Sequence, residues 1–127
     1  MIDPTAVVVQ LLGSRAYSAL DVDAANILPV MVVDTVTQTP LETGGQLDAC
    51  AAHIEVTVAA TTRTEARTTA WNAATTINNS PGTMLDAGVV CSALITLQPV
   101  PLQPTITIQD IHQWQFEATL IIRTKIG

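Results

Sequence analysis

Between Leu47 and Ala60 apolar and polar side chains alternate, Ile54, Val56 and Val58 against His53, Glu55 and Thr57, and two residues later the rhythm turns helical. A period of two puts one set on a core face and the other on a polar face of a strand. The change falls at Thr62-Arg63-Thr64-Glu65, a capping box in which the Thr62 hydroxyl and the Glu65 carboxylate serve reciprocal backbone donors. Ala66, Ala70, Ala73, Ala74 and Ile77 then recur at helical spacing, a small-residue face that can approach a sheet closely. Asn78-Asn79-Ser80-Pro81-Gly82 stops the helix abruptly. A strand joined so directly to an amphipathic helix restricts the chain to a layered α+β architecture.

The flanking segments extend this pattern. Asp3 caps a first helix that has Pro4 at its first position and a Val8, Leu11, Leu12 stripe, and that fades at Gly13 to Arg15. Residues 16–26, with Asp21 and Asp23, read as an exposed acidic connection. Ile27 to Thr37 is a β-branched strand, and Gln38 to Gln46, with Pro40, Gly44 and Gly45, reads as a turn or long hairpin loop. Ala87 to Leu97 is a third strand and Gln113 to Lys125 a fourth, in which Trp114, Phe116, Ala118, Leu120 and Ile122 alternate with mostly polar partners. Pro99, Pro101 and Pro104 between them predict a stiff exposed excursion, with a brief strand extension at Thr105 to Gln109.

The expected fold is therefore a single domain over residues 1–127, a mainly antiparallel four-stranded sheet with two helices on one face. The order is helix, strand, strand, helix, strand, strand. Helices on one face leave the other bare, yet Val90 and Leu94 oppose the equally apolar Val89, Cys91, Ala93 and Ile95, and the first strand is two-sided at Val30 and Val32. Bare apolar sheet is an aggregation hazard, so either other copies or partners cover Val30, Val32, Val90 and Leu94, or the proline-rich excursion folds back over them.

Charge narrows the function classes. Only 13% of residues are charged and the net charge is −6; residues 1–62 hold seven acids and one base, and residues 63–127 four of each. Five bases are too few for a nucleic-acid binder, whose affinity comes mainly from phosphate contacts. Four aromatic residues, Tyr17, Trp71, Trp114 and Phe116, argue against sugar- or base-stacking surfaces. The longest apolar runs, Ile27 to Val33 and Ala87 to Ile95, are shorter than the roughly 18 residues a membrane helix needs. Met1-Ile2-Asp3-Pro4 lacks the basic start of a signal peptide, so the chain reads as made in the cytoplasm.

No catalytic constellation stands out: the sequence has no HExxH, CxxC, GxSxG or Gly-rich phosphate loop. His53 reads as a surface-strand histidine beside Glu55, and Asp110-x-His112 is two metal ligands without a third. Cys50 and Cys91 read as buried thiols. No enzyme activity, cofactor or metal is expected. Arg63 and Arg67, one turn apart, either grip a partner's carboxylate or form a solvated face, and Trp71, off the alanine stripe, is an interface candidate.

The order of segments resembles the tail terminator (tail completion or minor tail) proteins of long-tailed bacteriophages, especially those infecting actinobacteria. The resemblance spans nearly the whole chain and is carried by Ile2-Asp3-Pro4-Thr5-Ala6-Val7-Val8, Pro29-Val30-Met31-Val32-Val33, Gly44-Gly45, His53 to Val58 leading into Thr62 to Ala66, and Trp114 to Leu120 with the basic end Arg123 and Lys125. Gln109-Asp110-Ile111-His112 departs from the Arg-Pro pairing of the family pattern. The resemblance implies a non-enzymatic virion protein at the head–tail junction. It would form a homo-hexameric ring on the tail tube protein, stop tube polymerisation and offer the docking surface for the head–tail connector protein. DNA would pass through without specific binding, and no membrane is involved. The alternatives are another connector component, such as a head-closure or tail-tube protein, and a small α+β ligand-binding domain.

Overall fold

The computed structural model describes residues 2–18, 29–43, 46–102 and 111–124. In chain order these form α1 (Pro4–Leu12), β1 (Ala16–Ser18), β2 (Val30–Thr43), β3 (Gln46–Ala60), α2 (Arg63–Asn78), β4 (Met84–Leu85), β5 (Gly88–Leu102) and β6 (His112–Arg123). The strands make one curled, half-barrel sheet in the order β1-β2-β3-β6-β5-β4. It is mixed, because β1 runs parallel to β2 while every other ladder is antiparallel. This overturns the expected four-stranded antiparallel sheet: β1 and β4 have three and two residues, too short for any periodicity to reveal them.

Both helices start as their caps dictate. An Asp3 carboxylate oxygen accepts from the Ala6 amide at 3.3 Å and Pro4 follows it, while the Thr62 hydroxyl accepts from the Glu65 amide at 3.1 Å. Ala66, Ala70, Ala73, Ala74 and Ile77 of α2 are buried, as are Val7 and Val8 of α1. They join Ile54, Val56, Val58, Phe116, Leu120 and Ile122 in one core cluster. Alanine lets α2 lie close to the sheet, and fully burying each larger side chain contributes roughly 1.5–3 kcal/mol.

Of the prolines predicted to form loops, Pro40, Pro99 and Pro101 lie inside strands instead, and Pro104 lies outside the described residues. Pro40 is opposite Cys50 in the β2–β3 ladder and Pro101 opposite Trp114 in the β5–β6 ladder. Each strand has an outer side, where a residue without an N–H leaves no bond unmade. The hairpins are consequently long, and the β2–β3 and β5–β6 connections emerge at opposite ends of the sheet. The strand extension predicted at Thr105 to Gln109, and Asp21, Asp23 and Asp110, lie outside the described residues.

Where β5 begins, Gly88 fits under α1. A Cβ there would meet the Arg123 carbonyl oxygen at 3.0 Å, Ile122 Cγ2 at 3.1 Å and Val7 Cγ2 at 3.4 Å. Neither the backbone oxygen nor the packed methyl can give easily, so Gly88→Ala is expected to destabilise the chain by about 1–3 kcal/mol, read as a lower denaturant midpoint.

Candidate functional site

The helix-free face of the sheet brings Val30, Val32 and Leu94 together with polar residues of the neighbouring strands. Cross-strand partners share a face, so the register lays it out in rows. One row runs Asp34, Glu55, Glu117, Leu97 from β2 to β5, and the next Thr37, His53, Thr119, Leu94. Three carboxylates thus lie side by side on neighbouring strands. Like charges directly opposite one another destabilise a sheet, by roughly 0.2–1 kcal/mol a pair. His53 offsets part of this: its Nε2 is 2.6 Å from Glu117 Oε1 and its Nδ1 3.2 Å from the Thr119 hydroxyl. The sequence set His53 beside Glu55; that Glu117 is its partner depends on register across two strands, for which the chain carries no local signal.

Toward β5 the same face turns apolar. Leu94 is 65% exposed, and Leu97, Val100 and Ile121 are also open. On the helix side of that border, Trp71 is 40% exposed and lines a groove of about 280 Å³ with Ile95 and Pro99. One turn earlier Arg67 joins Arg63, Thr64, Thr68 and Trp114 around a second groove of about 410 Å³. Neither arginine is bridged to a carboxylate among the described residues. Trp71 of α2 and Leu94, far apart in sequence, therefore both border β5, on opposite faces, while Arg67 borders Trp114 of β6.

Two expected surface residues are already covered within the single chain. Val90 is fully buried and belongs to the core cluster. A bulge at Cys91, between the Val90–Ile122 and Ser92–Ile121 pairs, shifts the alternation, so Val90 faces the helices and Leu94 faces away. Val30 shares the helix-free face with Ala59 but is only 5% exposed, and Val32 is half-buried. Leu97 is the expected end of the strand and Val100 falls in the expected excursion, because the prolines mask the continuation of β5.

No protein-family model matches this chain, and no curated protein does. Among the described residues no cluster of three or more His, Cys, Asp or Glu side chains is arranged to hold a metal ion, the carboxylate row included. His112 is exposed at the start of β6. No helix among the described residues is long and apolar enough to cross a membrane.

The two cysteines are free thiols in unlike settings. Cys50 is buried, whereas Cys91, expected to be buried, is exposed at its bulge. Burial pushes the Cys50 thiol above its usual range, against a smaller opposing effect of a hydrogen bond from Gln38.

Three outcomes follow. Glu55→Gln relieves the carboxylate row and is expected to stabilise the isolated chain by about 0.2–1 kcal/mol in denaturant titration. Native protein should take up a maleimide at Cys91 and not at Cys50, as mass spectrometry of the peptides reads. Because folding holds Cys50 neutral, the unfolded chain loses that proton first as pH rises. The folded state then binds more protons, and stability falls with pH above the ordinary thiol range, a slope expected to vanish in Cys50→Ala.

Proposed function

We propose that this chain is a non-enzymatic structural protein of a long-tailed phage virion, acting as the tail terminator. Six copies would form a ring that caps the tail tube, ends tube polymerisation and presents the surface on which the head–tail connector docks. The observation that carries the reading is the helix-free face, where the Asp34, Glu55 and Glu117 row adjoins an apolar border at Leu94, Leu97 and Val100. A carboxylate row repels a duplex where cationic groups would retain it, which suits a wall that DNA slides past. The apolar border suits contact with another subunit. The hairpin ends at opposite ends of the sheet suit contact with the tube on one side and the connector on the other. In this reading no cofactor, metal or membrane takes part, and the protein is made in the host cytoplasm and resides at the head–tail junction.

In the source genome a portal gene upstream and a major tail protein gene immediately downstream are expected; metabolic neighbours would overturn the reading. Deleting the gene from such a phage is expected to leave overlong tails unjoined to heads in electron micrographs. Joined tails of normal length would refute it.

A further inference from the structure

The outer full-length strands, β2 and β5, are each covered along only part of their length. β1 pairs with Met31 to Val33 of β2, and β4 with Gly88 and Val89 of β5. Among the described residues no strand pairs with the free side of β2 beyond Val33 or of β5 beyond Val89. Such an edge presents backbone donors and acceptors to any strand that fits.

The two bare stretches correspond. Asp34 and Leu97 end one row of the helix-free face, Thr37 and Leu94 the next, and Thr39 and Ser92 the third. Asp34–Thr39 and Ser92–Leu97 are thus of equal length, at the same level, on opposite sides of the sheet. Devices that deter pairing stand beyond these rows: β1 shields Met31 to Val33, and Pro99 and Pro101 interrupt β5. Within the two stretches themselves, Asp34–Thr39 and Ser92–Leu97, there is no proline or lysine, and Asp34 is the one charged residue. Val36, half exposed, lies on the β2 side, and Leu94 and Leu97 on the β5 side.

On the helix layer, Trp71 lies beside Ile95 and Pro99 of β5, and Arg67, one turn earlier on α2, lies beside Trp114 of β6. The exposed Asp3 heads α1, which is tied to β2 by the Thr5–Thr35 hydroxyl contact at 2.7 Å and by Gln38 Nε2 donating to the Ile2 carbonyl at 3.1 Å. Three antiparallel ladders separate β2 from β5, so the two run antiparallel to each other.

We propose that Ser92–Leu97 of one copy pairs, antiparallel, with Asp34–Thr39 of a second copy, extending the sheet head to tail. Two different patches meet in this contact, so repeated copies either close into a ring or grow into a fibre. Closure into a ring rests on the function proposed above; the pairing does not.

Cysteine cross-linking tests it in a Cys91→Ser background. Within one chain positions 37 and 94 are separated by three strand spacings, roughly 14 Å, beyond the reach of a disulfide. A mixture of Thr37→Cys and Leu94→Cys chains is expected to oxidise to a dimer, and Leu94→Cys alone is not. The double variant is expected to give a ladder of covalent oligomers ending in a closed ring, and Leu94→Lys, at an exposed position, to abolish assembly while leaving the thermal midpoint unchanged. Rings that form without the 37–94 cross-link and survive Leu94→Lys would overturn the pairing and leave the ring function standing. Cross-linked fibres that never close would overturn the ring and support the pairing. Chains that stay monomeric at every concentration would overturn the pairing.

Discussion

Everything in this fold hangs on the ladder between β3 and β6. It runs from Ala49–Arg123 to Ala60–His112 without a register shift, whereas the β2–β3 and β5–β6 ladders are both interrupted by bulges. A regular central ladder keeps Ile54, Val56 and Val58 in phase with Phe116, Ala118 and Leu120, which gives α2 a continuous surface for its alanines. The bulges flanking it add local twist, and the sheet curls around this regular central seam.

Legibility in the sequence followed the range over which each feature is encoded. The caps at Asp3 and Thr62 and the alternation of β3 and β6 are local, and local chemistry announced them. The extent of β2 and β5 was misread because proline predicts a break, while an outer strand tolerates it wherever the nitrogen points away from the ladder. Ala16–Ser18 reads as part of a connection because three residues carry no rhythm of their own; only Met31 to Val33 of β2 makes them a strand.

The candidate surface was legible in composition rather than in place. Few charges predict some uncovered apolar sheet, and among the described residues Leu94 and Trp71 are exposed beside β5. The carboxylate row was invisible, because Glu117 comes from the half of the sequence with balanced charge and meets Asp34 and Glu55 only through two registers. An excess of acids along a chain is a poor guide to field in space: one residue from a neutral half completes the row.

The bulge at Cys91 makes the length of β5 as consequential as its chemistry. One added residue lets a single strand close the core at Val90 and then turn Leu94 outward. A deletion there would hand every later side chain to the opposite layer without altering one amino acid. Along this stretch, then, a change of residue type acts at its own position, while a change of one in the count rewrites which half of the strand belongs to the inside.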